Sequence, residues 1–319
     1  MPVSISAVAY APGGIGNLGP GLDILGCALE GAGDTVSATW SDSPGIVVAE
    51  PGDPTLPTDP DRNAAALAAG AVLARAAALG IRAEAPGIVL RVTKGLAIAA
   101  GQGGSAASAV AAAVATNALL GETLDRRELL AAALVSEERL AGRHLDNIAP
   151  ALLGGIVLIR SIEPIETIAL PVPESLFFAL ATPRYQLQTA RARAALPTDV
   201  PLATALHQAA QVAAIVAACY SGDVTLLGRA IEDWIAEPVR APLLPGFTDA
   251  KKAALQAGAL GASISGAGPT AFAVCDSETT AADVAAAMAQ AYSASGWECV
   301  QRVARPDRIG ARLLKEAAP

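Results

Sequence analysis

A run of small residues, Gly101-Gln-Gly-Gly-Ser-Ala-Ala107, stands between a stretch rich in β-branched residues and a long alanine-rich segment. Glycines free backbone amides, and a helix starting beside them aims those amides and the positive end of its dipole at one point. The chemistry this suits is anion binding, and a polyphosphate fits it well. Three readings compete. A Walker A loop needs Gly-Lys-[Ser/Thr], and none of the four lysines follows a glycine, which excludes it. A dinucleotide fingerprint accepts Gly101-x-Gly103-x-x-Ala106, but it needs an acidic residue at a strand end about 20 residues on. Glu122 and Asp125 fall in a turn and a helix cap instead. The third reading, a plain glycine turn ahead of a packing helix, stays open on these residues alone.

Such a loop needs a strand before it and a helix after it. Residues 88–92 alternate with β-branched side chains and predict the strand; residues 105–119, ended near Gly121, predict the helix. Residues 96–121 carry no charge and are long enough for a membrane span. Their cluster of glycines with Gln102, Ser105, Thr116 and Asn117 reads instead as a strand end, a loop and a buried helix, so no membrane partner is expected. Upstream, residues 3–10 predict a strand leading into a second glycine-rich loop over 13–21. Residues 51–61 read as a surface connection, and 63–79 as a helix with Arg75 outward. Downstream, Asp125-x-x-Glu128 has the form of a capping box. The helix it opens carries Leu130, Ala133, Leu134, Glu137 and Ala141 on one stripe and ends at Gly142. A strand over 156–160 follows, and the proline-spaced stretch 163–174 is expected to join two parts, 1–165 and 166–319. The second part reads as strand 177–182, helices across 201–260, strands 262–265 and 270–275, helix 281–292 and strand 298–303. Strands and helices without regular alternation predict an α+β fold.

A length of 319 residues suits two domains, and 53% hydrophobic residues suffice for a sizeable core, alanine-rich and finely packed. Aromatic residues make up only 3% and the net charge is −8, so nucleic acid is not an expected partner. Cys27, Cys219, Cys275 and Cys299 are scattered without a C-x-x-C pair, which argues against structural zinc and for reduced thiols. No lysine or arginine precedes Arg62, so no secretory n-region is read, and a cytoplasmic location is expected.

Three separated segments together resemble the motifs of the GHMP kinases. They are Pro12-Gly-Gly-Ile-Gly-Asn-Leu-Gly-Pro-Gly-Leu-Asp23, the run 101–107, and Ser265-Gly-Ala-Gly-Pro-Thr270. Four further matches are similar to the branch that phosphorylates L-homoserine: Asn-Leu-Gly-Pro-Gly-x-Asp at 17–23, His144-Leu-Asp-Asn-Ile-Ala-Pro150 with Gly154-Gly155, Thr189-x-x-x-Arg193-x-x-Leu-Pro197, and Glu237-Pro-x-Arg240. There are departures. Gly104 stands where the family's phosphate loop has a serine, Gln102 where it has a leucine, and Gly14 and Ile15 where the first motif carries serines.

The resemblance implies a two-part kinase, an N-terminal β/α half with the phosphate loop and a C-terminal ferredoxin-like half, with ATP and substrate meeting between them. It implies ATP phosphates on the amides of Gly101, Gln102, Gly103, Gly104, Ser105, Ala106 and Ala107, with the Ser105 hydroxyl near Mg²⁺. Ser105 is equally a candidate helix N-cap. Glu137 is the expected Mg²⁺ carboxylate and Glu138 the alternative, with a solvated helix-end pair still open. Asn63 and Lys94 are further nucleotide contacts by the same likeness. For L-homoserine, Asp23 with Asn17 matches the ammonium acceptors, and Arg193 and Arg240 the guanidinium forks for the carboxylate. Thr189 opens the Arg193 segment, His144 and Asp146 match substrate contacts, and Asn147 helps hold the reacting region. His207 has no motif around it and is left as a helix residue. Direct in-line transfer without a dedicated base is expected, and a homodimer is left open. The alternatives are a mevalonate-type or sugar kinase, and a catalytically silent ligand sensor on the same fold.

Overall fold

The computed structural model describes residues 6–81 and 87–315. Its N-terminal sheet is built on two long strands, β1 (Ser6–Gly16) and β2 (Leu25–Ser41), paired antiparallel with a register shift between Pro12 and Gly14. Proline lacks the N–H a ladder needs, so its place at a bulge is the physically tolerated one. Residues 13–16 were expected in a loop and are strand; residues 3–5 of the expected strand lie outside the described residues. Strand β3 (Ile46–Glu50) runs parallel to β4 (Gly87–Thr93), and β4 pairs with the outer part of β2.

Helix α1 (Ala64–Ala78) is capped by Asn63, and α2 (Gly104–Leu119) follows the glycine run. α3 (Arg126–Leu140) starts with the capping box: Asp125 accepts from the Glu128 amide at 2.8 Å, and Glu128 accepts from the Asp125 amide at 3.0 Å. α2 is buried on most of its surface between α1, α3 and the sheet. Its alanines make that position possible, because small side chains let backbones approach closely. After α4 (Ile148–Leu153) come β5 (Ile156–Ile162) and β6 (Ile165–Leu170), a hairpin whose first strand pairs with the start of β2. The stretch 163–174 was expected to be a connection, and half of it is the strand β6.

The C-terminal part contains β7 (Phe177–Pro183), α5 (Thr189–Ala194), α6 (Leu202–Ser221), α7 (Val224–Arg229), α8 (Glu237–Arg240) and α9 (Phe247–Gln256). Then follow β8 (Gly261–Ile264), β9 (Ala271–Cys275), α10 (Glu278–Ala294) and β10 (Cys299–Ala304). The strand order β10-β7-β9-β8, all antiparallel, is that of a ferredoxin-like βαββαβ unit with extra helices after its first strand. A last strand, β11 (Arg312–Leu314), returns to pair with β1, so the C-terminal end closes on the N-terminal sheet.

The halves meet through an apolar core. Ile15, Leu18, Leu25 and Leu29 pack with Phe178, Phe272, Ile215 and Leu227, which fixes the first glycine motif against the C-terminal sheet. Helix α6 is long and apolar enough to cross a membrane. Here it is docked instead: Ile215, Ala218 and Cys219 join the core, and buried Gln208 donates to the Pro20 carbonyl and to Asp233, both at 2.8 Å. All four cysteines are free thiols.

Candidate active site

The glycine run stands at the head of α2, whose N-cap is Gly103 in the left-handed region, φ 68°, with no side-chain cap. The first amides of a helix have no partner inside it, so those following Gly103 are available to an anion. The loop is held rigidly from behind. Ser265 Oγ donates to the Gly101 carbonyl at 2.7 Å, Thr270 Oγ1 to the Ala100 carbonyl at 2.6 Å, and the Gly14 amide to the Gln102 carbonyl at 3.1 Å. The first and third glycine motifs therefore both clamp the second. A Cβ on Gly101 would come within 2.6 Å of the Ser265 and Gly268 carbonyl oxygens, so glycine there is a matter of space as well as of its φ of 79°.

Two expectations about this loop need correcting, and a third residue carries a contact the expectation did not include. Ser105 is not the helix cap; it lies exposed in the first turn, facing the cleft. Ala107 is fully buried in the N-terminal core and its amide is bonded to Gly103, so it is not a phosphate ligand. Gln102 lies between two glycines with positive φ, and its side chain is turned to the far side of the loop. There its amide nitrogen donates to Thr182 Oγ1 at 3.0 Å and its oxygen accepts from Arg302 at 3.1 Å.

Lys94 is next to the loop but tied down. Its Nζ pairs with Asp34 and donates to the Gly104 carbonyl at 3.0 Å and to Ser108 Oγ at 3.1 Å. Asp34, fully buried, also accepts from Ser108 at 2.7 Å and from the amides of Gly95 and Leu96. Sequence reasoning missed Asp34 and Ser108. Period-two alternation through Asp34, Val36 and Ala38 was the signal that would have pointed the carboxylate inward. Asn63 caps α1, its Oδ1 accepting from the amides of Ala65 and Ala66, while it also borders the cleft beside Arg62 and Pro57.

These placements define a paired prediction. Gly104 has an ordinary helical backbone, and a Cβ on it would have only Lys94 Nζ, at 3.3 Å, as a close neighbour. Gly104→Ser should therefore retain kinase activity within a few-fold. Ser105→Ala removes a hydroxyl from the cleft and is expected to lower kcat/KM for ATP by about tenfold, the scale of one hydrogen bond to a charged group. Because Ser105 caps nothing, its Tm should not fall. Steady-state rates with varied ATP and a melting curve for each variant check this; wild-type kinetics for Ser105→Ala would remove it from the site.

The opposite wall of the cleft carries the charged residues. Asn17 and Asp23 both adopt left-handed backbone, φ 69° and 63°, which Asn and Asp tolerate better than most residues. Asn17 Oδ1 accepts from the Asp23 amide at 3.1 Å, and the Asn17 amide donates to Asp146 Oδ2 at 3.1 Å. Arg193, on α5, grips Asp23 with both terminal nitrogens, each at 2.7 Å, as a two-pronged fork. Arg240 lies buried behind, donating to the Gly266 carbonyl at 2.9 Å; burial pulls its pKa down, against the charges of Asp233, Asp23 and Asp146. Thr189, at the start of α5, stands exposed beside them. Asp146 and Asn147 reach the site because β1 and β2 have glycines under them. A Cβ on Gly26 would come within 1.7 Å of the Asp146 carbonyl oxygen, and one on Gly16 within 2.5 Å of its carboxylate.

Glu137 projects into the same cleft from α3 and is 6% exposed, whereas Glu138 points outward, near Arg143 at 3.9 Å. Burial raises the Glu137 carboxyl to about 7; the charge of Asp146 adds to this and that of His144 opposes it. Burial alone would hold His144 neutral, but Asp146, Glu137 and Asp23 outweigh it and lift the imidazole to about 9. His144 Nδ1 lies 3.2 Å from Asp146 Oδ1 and 3.7 Å from Glu137 without aligning as a hydrogen-bond donor to either. The attraction is therefore read as coulombic.

A divalent cation can be weighed against these donors. Asp23, His144 and Asp146 cluster within 4.8 Å of one another, but an imidazole that holds its proton has no lone pair on that nitrogen to give. Ser105 and Glu137 supply hard oxygens, and a buried carboxylate kept partly protonated by desolvation is one that a cation would relieve. The residues present fit Mg²⁺ there.

With this geometry in hand, the likeness to known proteins is extensive. The family model for the GHMP kinases N terminal domain matches residues 65–155, and that for the GHMP kinases C terminal matches residues 215–294. The chain belongs to the GHMP kinases. Its relatives include a homoserine kinase of Arabidopsis thaliana, 44% identical over 99% of this chain and 87% of that protein. A homoserine kinase of Chlorobium phaeobacteroides is 42% identical over 89% and 91% of the two chains. The crystal structure of homoserine kinase from Cytophaga hutchinsonii superposes with a TM-score of 0.91 at 36% identity, covering 98% of this chain and 99% of that one.

Proposed function

We propose that the protein transfers the γ-phosphoryl group of ATP to the side-chain hydroxyl of L-homoserine, giving O-phospho-L-homoserine and ADP. The observation that carries this reading is a single cleft that joins an open helix N-terminus, flanked by Lys94, to the Asp23–Arg193 fork backed by buried Arg240. A zwitterionic amino acid presents the same two charges as that pair. Its ammonium takes the Asp23 carboxylate and its carboxylate takes the guanidinium groups of Arg193 and Arg240, so neither charge is left unpaired. A sugar offers neither charge, and mevalonate has no ammonium for Asp23.

The nucleotide's phosphates take the amides at the start of α2. Ser105 and Glu137 would hold Mg²⁺, which when bound neutralises phosphate charge. The chain's own contribution is chiefly position: Asn17, Asp146 and Asn147 fix the substrate side of the cleft, and the clamp from Ser265 and Thr270 fixes the phosphate side. The transition state for phosphoryl transfer is loose and makes little demand for a strong base. His144, held protonated near neutral pH, contributes positive charge and cannot accept the hydroxyl proton.

The test is ADP release over a panel of L-homoserine, mevalonate, shikimate and galactose, each at several concentrations. Turnover should appear with L-homoserine and be near background with the rest. Release driven by mevalonate or galactose, with none from L-homoserine, would overturn the assignment.

A further inference from the structure

A second cavity lies behind the phosphate loop, between the N-terminal half and the C-terminal sheet. Its apolar wall includes Leu96, Ile98 and Leu180, and its polar groups include Thr182, Gln102 and Arg302. The segment carrying Ala97, Ile98 and Ala100 borders both this cavity and the active-site cleft.

Arg302, on β10, is the unusual member. Its guanidinium donates to the Glu30 carbonyl at 2.6 Å and to Gln102 Oε1 at 3.1 Å. Among the described residues no carboxylate lies within ion-pair distance of it. Neutral acceptors satisfy N–H groups but do not cancel a charge, and desolvation pulls this guanidinium's pKa down. Asp53 and Arg184 also border the cavity; Arg184 already pairs with Glu298, and Asp53 is bonded to Thr55. Gln102 is the connection to the loop: its amide reaches Thr182, and its backbone carbonyl holds the Gly14 amide of the first motif. In this chain that position is polar where the family's loop has leucine.

We propose that this cavity binds a small aliphatic carboxylate as an effector, with the carboxylate on Arg302 and the carbon skeleton against Leu96, Ile98 and Leu180. An anion on Arg302 competes with Gln102 Oε1 for the guanidinium, so occupancy loosens the Gln102 contacts that steady the loop and weakens nucleotide binding. The binding arm stands on the cavity alone; the coupling arm rests on the reading of 101–106 as the nucleotide loop.

Butyrate serves as the probe, with inorganic phosphate as an anion lacking the aliphatic part. Binding is followed by methyl NMR of Ile98 and Leu180 and by calorimetry, with the active site filled by saturating non-hydrolysable ATP analogue and L-homoserine. Filling matters because Arg193 and Arg240 would themselves take a carboxylate. Butyrate should shift those methyls, bind more tightly than phosphate, and lose at least about tenfold in affinity in Arg302→Met, the scale of one charged pair. Butyrate should weaken binding of the ATP analogue by about fivefold or more, and by reciprocity the analogue should weaken butyrate equally. Gln102→Leu should keep butyrate binding and abolish that coupling.

Wild-type protein whose Ile98 and Leu180 methyls do not respond, or butyrate affinity unchanged by Arg302→Met, overturns the site. Coupling that persists in Gln102→Leu, or binding without any coupling, overturns the effector role. Leu180 borders this cavity and not the active-site cleft, so its methyl in wild-type protein keeps the binding test decisive if a variant folds poorly or the kinase reading fails.

Discussion

Glu137→Gln is expected to lower kcat by about a hundredfold or more, on the scale of removing one preorganised electrostatic group from an active site. It should do so without lowering metal-free stability. The sign follows from the pKa. Burial lifts the Glu137 carboxyl from its ordinary 4.5 to about 7 in the folded chain, so its protonated form is the one the fold favours. Stability from that proton is present below about 4.5 and is lost as pH rises through 7. Above that, the ionised carboxylate is a net cost, and a neutral glutamine removes it. His144 is raised as well, from 6.5 to about 9, but through carboxylates that favour its charged form; that stability is present below 6.5 and lost as pH rises through 9. Part of its attraction to Glu137 disappears in the variant, which tempers the gain. Melting curves from pH 5 to 8 should therefore show the variant's Tm improving relative to wild type as pH rises. Mg²⁺ with nucleotide should raise the wild-type Tm far more than the variant's. Glu138→Gln should be silent in every assay, because Glu138 is exposed outside the cleft. A silent Glu137→Gln with a damaged Glu138→Gln would move the metal ligand by one residue and contradict the geometry.

The second large effect belongs to the arginines. Arg193→Ala and Arg240→Ala should each raise KM for L-homoserine by about tenfold or more, as expected for losing about 1.5–3 kcal/mol of charged hydrogen bonding, and leave KM for ATP within about twofold. The two should differ in stability. Arg193 shares a partly exposed pair with Asp23, so its loss should barely move Tm. Arg240 is buried and donates to the Gly266 and Ala192 carbonyls, so its loss removes both bonds and opens a cavity, and should lower Tm by a few degrees. Arg193→Lys should not rescue, because a single ammonium cannot reproduce the two-pronged grip. Comparable losses for ATP and L-homoserine would mean that these arginines serve phosphate rather than the substrate carboxylate.

Where sequence carried local physics, the fold was readable. Asp125 and Glu128 announced a helix start that exists as written, and Asn63 and Gly121 bracket helices close to the expected limits. The strands and helices of β7 to β10 were recognisable in the sequence, while their ferredoxin-like arrangement was an expectation from the family resemblance. What was missed was mostly pairing across distance. β2 begins Leu25-Gly-Cys-Ala-Leu29, and nothing in that run says that it pairs with both β1 and β5. β6 was hidden by prolines at either end, and β11 is a three-residue return visible only once β1 is in place. In the site, the motifs located the cleft's residues but not their directions. The Gln102 side chain faces away, with a positive-φ glycine on either side, and Ser105 is the second residue of a helix whose cap is Gly103. Asp34 lay outside every motif, yet it holds Lys94 and Ser108 beside the loop.

The most direct measurement is identification of the product. Incubated with ATP, Mg²⁺ and L-homoserine, the protein should yield ADP and O-phospho-L-homoserine in equal amounts by ³¹P NMR, with neither formed when L-homoserine is left out. ADP without a phosphorylated amino acid, or phosphate appearing on mevalonate or galactose in place of L-homoserine, would contradict the account.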